Sequence, residues 1–286
     1  MDLLFLILAA VLLAVDFLIA SAYQKGEGNA PRAVLRFNFF IGLFTAVIFF
    51  FINGCKVEFT LFSGLMALAM TSLAILYTLI GFKVLAAGNA AYYSFFLMTG
   101  GMTVPYLWGL FFLDETFSWL RLAGLGLILG AALLLYGGKD RLSPKVMALC
   151  GVIFLLNGAV SVFSKEHAIS TQGVSAAGYV ILTALVKVVL CGGILLGSGL
   201  KKSEKSGKIK PKALVLTALS ALISGLSYLL QLNSAAGLPA TVVYPIVTGG
   251  SIVFTAVAGW LILKERPTKR FLLGVVICFA GTCLFL

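Results

Sequence analysis

Apolar residues run along this chain in blocks, not in stripes. From Leu3 to Ala22 the sequence is apolar apart from Asp16 and Ser21, with no polar face at a helical spacing. Blocks of that kind recur ten times, over approximately 3–22, 33–52, 60–82, 90–113, 118–137, 145–164, 175–199, 212–233, 240–263 and 269–286. About 20 apolar residues in a helix cross roughly 30 Å of hydrocarbon. The pattern predicts an all-α integral membrane protein with ten transmembrane helices, because ten such blocks leave no polar surface for a soluble fold. Ala20-Ser21-Ala22 mimics a signal-peptide cleavage site, but Met1-Asp2 lacks a positive n-region, so the first block is expected to stay as a span.

Composition agrees: the 286 residues are 61% hydrophobic and 11% charged, with a mean hydropathy of +1.09. The net charge of +11 could suggest nucleic acid, but its placement excludes that reading. Of the 21 Lys and Arg, most fall in the odd-numbered connections: Lys25, Arg32, Lys83, Lys139, Arg141, Lys145, the cluster from Lys201 to Lys212, and Lys264, Arg266, Lys269 and Arg270. Only Lys56, Arg121 and Lys165 fall in the even ones. The positive-inside rule then makes the odd loops cytoplasmic and both termini external, in a multi-pass protein of the cell membrane, here the bacterial inner membrane. Five cysteines without a CxxC pair imply neither a disulfide framework nor a metal site.

The chain also repeats itself. Ala86-Ala87-Gly88 and Thr99-Gly100-Gly101 return as Ala235-Ala236-Gly237 and Thr248-Gly249-Gly250 at the same spacing. After one inserted residue, Gly109, Leu113, Glu115 and Gly124 return as Gly259, Leu263, Glu265 and Gly274. Each half therefore holds five helices, 1–137 and 145–286, with a linker over 138–144. An odd number of spans puts the second half into the membrane upside down. Such inverted repeats build many secondary transporters, whose site lies near the midplane between the halves.

The run Pro239, Tyr244, Thr248-Gly249, Gly259-Trp260, Glu265 resembles the third helix of small multidrug resistance proteins. The five-plus-five form resembles the EamA-type transporters of the drug/metabolite transporter superfamily. That resemblance implies transport of small organic metabolites or drugs. Small multidrug resistance proteins carry a first-helix glutamate eight residues before a lysine, which binds proton or substrate in turn. Here Asp16 precedes Gln24 at that spacing and Asn157 precedes Lys165, so one coupling carboxylate is present at most.

Asp16 is the only acid placed within a predicted span, and an intramembrane carboxylate faces the bundle interior or a watery cavity. It could exchange protons, or be held in a fixed ion pair or hydrogen bond. Lys187 sits mid-span, too deep for its stem to reach the headgroups. It could neutralise Asp16 or bind a substrate carboxylate or phosphate. Arg36 lies near a span end and is expected to snorkel. Aromatic and amide groups that could line a cavity are Tyr92, Tyr93, Phe95, Trp108, Asn157, Tyr228, Gln231 and Tyr244.

Pro105 and Pro245, with Gly100-Gly101 and Gly249-Gly250 nearby, are either gating bends or close-packing points. Small residues on helices five and ten, Gly126 and Gly130 among them, could close one half on the other or join two copies as a homodimer. Glu115 and Glu265 are expected to cap helices five and ten. His167 is expected in an external loop beside Lys165 and Glu166. No HExxH, GxSxG or Walker loop is present, so no enzyme, cofactor or ATP-driven step is expected.

The partners expected are the lipid bilayer, a small-molecule substrate and protons, with no nucleic acid. The function expected is a secondary transporter of small organic metabolites or drugs, an exporter by alternating access, either coupled to protons through Asp16 or working as a facilitator. The alternative is a non-transporting scaffold or sensor that keeps the fold.

Overall fold

The computed structural model describes residues 2–28, 30–86, 90–136, 143–197, 210–263 and 269–286. Residues 138–142 of the expected linker over 138–144, the basic stretch from Lys201 to Lys208, and Lys264, Glu265 and Arg266 lie outside them. The described residues form ten α-helices: α1 (Asp2–Glu27), α2 (Pro31–Ile52), α3 (Leu61–Ala86), α4 (Ala90–Phe112), α5 (Trp119–Tyr136), α6 (Pro144–Ile169), α7 (Ala176–Gly197), α8 (Pro211–Gly237), α9 (Ala240–Leu263) and α10 (Lys269–Cys283). Eight of these are long and apolar enough to cross a membrane. Of the other two, the described part of α5 has 18 residues and that of α10 has 15.

Several helices outrun their apolar blocks. α1 continues through Gln24-Lys25-Gly26 to Glu27, and α6 continues through Lys165-Glu166-His167 to Ile169. Backbone hydrogen bonds carry a helix on past the point where hydropathy falls, provided the polar side chains find partners. Two expectations are corrected here. Lys165, Glu166 and His167 belong to α6 and not to a loop, and Asp16 shares the helical segments with Asp2, Glu27 and Glu166. Helix starts are locally encoded: α2, α6 and α8 each begin on a proline, whose missing N–H is not needed in the first turn.

Packing runs mainly between helices that precede residue 137 and helices that follow residue 143. α1 packs on α8, and α6 on α3; α4 packs on α6, and α9 on α1; α2 meets α7, α4 meets α9 and α5 meets α10. The α5–α10 contact rests on small residues. A Cβ on Gly124 would meet the Gly281 carbonyl at 2.8 Å, and one on Gly281 the Gly124 carbonyl at 2.9 Å. The small faces of the two helices thus meet within one chain, whereas Gly126 and Gly130 have nothing within 4 Å of an added Cβ. The largest buried cluster joins Met102 and Tyr106 of α4 to Leu6 of α1, Ile128 of α5, Val243 of α9 and Cys278 of α10.

Candidate functional site

A cavity of about 240 Å³ opens at mid-depth where α2, α3, α6, α7 and α8 converge. Its polar lining is Thr45 of α2, Thr71 and Tyr77 of α3, Thr183 and Lys187 of α7, and Ser224 and Tyr228 of α8. Met70, Val160 and Val180 supply the apolar wall. The walls come close because Gly42 of α2 lies flat on α7: a Cβ there would meet the Ala184 carbonyl at 2.9 Å. Lys187 and Tyr77 also border a second cavity of about 70 Å³, which runs along α2 past Asn38 and Leu35.

Most hydroxyls around the main cavity are committed. Thr45 Oγ1 donates to the Ala221 carbonyl at 3.3 Å, Thr183 Oγ1 to Val180 at 3.0 Å and Ser224 Oγ to Ser220 at 2.6 Å. Tyr228 hydrogen-bonds with Ser164 at 2.9 Å and donates to the Met70 sulfur at 3.3 Å. Three groups are not committed. Thr71 is 1% exposed and its Oγ1 has no hydrogen-bond partner. Among the described residues, Tyr77 makes no hydrogen bond, and Lys187 makes neither a hydrogen bond nor an ion pair; the ion pair found there joins Arg36 to Glu27 at 2.9 Å. Arg36 therefore has a specific partner at the end of α1, where snorkelling alone was expected.

Of the residues singled out from sequence, Lys187 and Tyr228 line this cavity. Asp16 does not: it is half-buried on α1, and its Oδ1 accepts a hydrogen bond from Ser220 Oγ of α8, one turn from the cavity-lining Ser224. Asn157 donates to the Leu97 carbonyl at 2.7 Å, joining α6 to α4. Tyr244 donates to the Ser161 carbonyl at 2.6 Å, joining α9 to α6. Tyr92 and Tyr93 pack in a cluster with Cys150 and Ile153, and Phe95 stacks edge-on to Phe96. Gln231 is half-buried on α8.

Pro105 and Pro245 lie inside the continuous helices α4 and α9. The adjoining glycines are points of close approach: Gly100 against the Phe154 backbone, Gly101 against Asn157, Gly249 against Thr282 and Ile128, and Gly250 against Ala10.

The end of the bundle where α8 meets α9 holds a dense set of charged contacts. Lys165 is 4% exposed, and its ammonium donates to the Ala235 and Leu238 carbonyls, both at 2.7 Å, closing the C-terminus of α8. Glu115 accepts from the backbone N–H groups of Ala240 at 2.5 Å and Thr241 at 2.9 Å. It therefore caps α9 and not α5, a correction to the local reading. The cap is needed because Pro239, which precedes α9, has no side-chain oxygen to offer. Asp114, with a left-handed φ of 51°, turns the chain after α4 so that the Glu115 carboxylate lies against Gly109, where a Cβ would come within 2.6 Å.

Trp108 Nε1 donates to Glu166 at 2.6 Å and its ring stacks on Phe112. His167 is buried, stacks on Tyr179 with ring centroids 3.5 Å apart, and hydrogen-bonds with Ser63 Oγ at 2.9 Å.

Comparison with known proteins identifies the architecture. The profile of the EamA-like transporter family matches residues 142–286, which is half of the chain. The chain belongs to that family. An EamA-like protein is a multi-pass membrane transporter of small molecules and not an enzyme, so a lipid bilayer and a small-molecule substrate are its partners. A crystal structure described only as that of a protein overlays with a TM-score of 0.72 at 15% identity. It covers 99% of this chain and 95% of its own, so the fold of the half outside the family profile is shared as well. Among curated proteins no match is found.

Proposed function

We propose that this EamA-like protein is a secondary transporter of small organic metabolites that works by alternating access. The observation that carries the reading is the mid-depth cavity walled by α2 and α3 of one half and α6, α7 and α8 of the other. The proposed halves are inverted repeats, 1–137 and 145–286, with all ten helices embedded. The packing supports this: exchanging α1–α5 with α6–α10 converts the α1–α8 contact into α6–α3 and the α4–α6 contact into α9–α1.

In this reading the lysine-rich loops are cytoplasmic, the termini are external in the cell membrane, and transport is outward. Asp16 is the proton site. It reaches the cavity through α8, where Ser220 holds its carboxylate and the Ser220 carbonyl holds Ser224. Adding a proton there changes the α1–α8 contact between the halves, the kind of two-state bias that alternating access requires.

Accessibility tests this without knowing the substrate. A single cysteine is placed at Thr183, with the five native cysteines replaced, and labelled by an impermeant maleimide from either face of sealed proteoliposomes. The expected result is labelling from both faces, with a balance that shifts with pH and ceases to shift in Asp16→Asn. Labelling from one face alone overturns alternating access. A pH-independent balance with Asp16 intact removes Asp16 from the coupling.

A further inference from the structure

The uncommitted groups of the cavity share one chemical character. Lys187 offers an ammonium, Thr71 a buried hydroxyl without a partner, and Tyr77 a hydroxyl with no hydrogen bond among the described residues. Threonines inside these helices ordinarily return their proton to a carbonyl one turn back, as Thr78, Thr99 and Thr217 do at 2.7 Å. Thr103 and Thr255 share the lack of a partner, but only Thr71 borders the cavity. A buried hydroxyl without a partner and a half-buried ammonium that makes no hydrogen bond among the described residues are each costly, so a ligand that accepts from both recovers what the bundle alone does not.

We propose that the cavity recognises a compact organic monocarboxylate, whose carboxylate is held by Lys187, Thr71 and Tyr77 and whose apolar body lies against Met70, Val160 and Val180. The inference rests on the transport reading for the role of the cavity, and adds the substrate class. One cation lines the cavity, so one negative charge is neutralised there. A phosphate monoester carries about −1.5 to −2 at neutral pH, and with no arginine or second lysine in the lining it would leave buried charge unpaired. Asp16 lies outside the lining with its carboxylate on Ser220, and its own negative charge acts on Lys187, which disfavours a dianion further. The size also selects: about 240 Å³ is below the roughly 300–1,000 Å³ of sites for drug-sized ligands.

The test compares isosteric acids and amides on the purified full-length protein: isovalerate against isovaleramide, phenylacetate against phenylacetamide, with isobutyl phosphate as the dianion. Dissociation constants are read from the dependence of thermal unfolding on ligand concentration. The expected result is that each acid binds at least about tenfold more tightly than its amide, the worth of a charge-assisted hydrogen bond. Lys187→Met should erase that ratio, and Thr71→Val should weaken the acids more than the amides, because a hydroxyl donates more strongly to a carboxylate than to an amide carbonyl.

Equal binding of acid and amide, no binding of either acid, or tighter binding of isobutyl phosphate than of isovalerate overturns the proposal. Should Lys187→Met fail to fold, the wild-type ratios and Thr71→Val decide the matter alone. Flux of labelled probes into proteoliposomes separates this proposal from the one beneath it. Isovalerate binding without flux overturns the transport reading and leaves the recognition standing. Isovaleramide moving as fast as isovalerate overturns the recognition and leaves transport standing.

Discussion

Lys165 and Lys187 both sit inside helices of the second half, and both are taken out of water, yet their surroundings treat them in opposite ways. The Lys165 ammonium donates to two carbonyls that end α8, and with Glu115 on the first N–H groups of α9 it fixes the tight turn between those helices. Lys187 lines a cavity and, among the described residues, finds neither a hydrogen bond nor an ion pair. One charge has been spent on the fold; the other lines a cavity, where Asp16 acts on it electrostatically without bonding to it. The contrast teaches that a charge in an apolar helix is a functional signal only when its partners have been counted.

Removing each charge should break the comparison most sharply. Lys165→Met takes the donor from the buried Ala235 carbonyl and the half-buried Leu238 carbonyl, and is expected to destabilise the protein by about 2 kcal/mol, allowing for the modest worth of polar contacts inside membranes. Lys187→Met removes a charge that no hydrogen bond or ion pair holds among the described residues, and is expected to leave stability within about 1 kcal/mol of the parent, or to raise it. Thermal unfolding of both variants in one detergent measures the difference. Equal losses would mean that Lys187 is as structural as Lys165.

Glu115 sharpens the same point from the other side of the turn. Because Pro239 supplies no capping oxygen, Glu115→Ala leaves the N-terminus of α9 without its acceptor and should cost about 1–2 kcal/mol. Glu115→Gln keeps one acceptor oxygen and should lose less. If the alanine variant melts with the parent, water has taken over the cap.

The ten helices were legible from the sequence because hydropathy marks them, and eight of them are long and apolar enough to cross a membrane; α2 was placed within about two residues. What hydropathy misses is where polar helix ends stop, since their partners come from other helices. Lys165, Glu166 and His167 read as loop residues because the carbonyls, the indole and the serine that receive them lie 58 to 104 positions away. Glu115 read as a cap for the next helix because local rules see only neighbours in sequence.

The cavity was half legible. Lys187 and Tyr228 stood out as a buried charge and a membrane tyrosine, but Thr71, Thr183 and Tyr77 did not, since a hydroxyl in a transmembrane helix usually serves its own backbone. One signal was available: Thr183 precedes Lys187 by one turn and so shares its face of α7.

The smallest effect concerns Glu58, which ties the connection after α2 to the start of α7 at the same end of the bundle as Lys165. Its carboxylate accepts from the Ser175 N–H at 2.7 Å, the Ser175 hydroxyl at 2.9 Å and Asn53 at 3.4 Å. The two bonds from Ser175 chiefly hold its pKa below the usual glutamate value, with Asn53 and Lys56 adding to them against a small desolvation. A folded-state pKa below the unfolded one contributes stability that is complete above the unfolded value and is lost as pH falls through the folded one.

Acidification from neutral pH into that range should therefore loosen this tie, and Glu58→Gln should remove the pH dependence it contributes. Because the group lies near the surface, screening keeps the effect below about 1 kcal/mol. The measurement is the unfolding temperature of parent and variant across the acidic range. Parallel curves would mean that Ser175 caps α7 unaided, and that at this end of the bundle Lys165 and Glu115 are the charges that hold the helices in place.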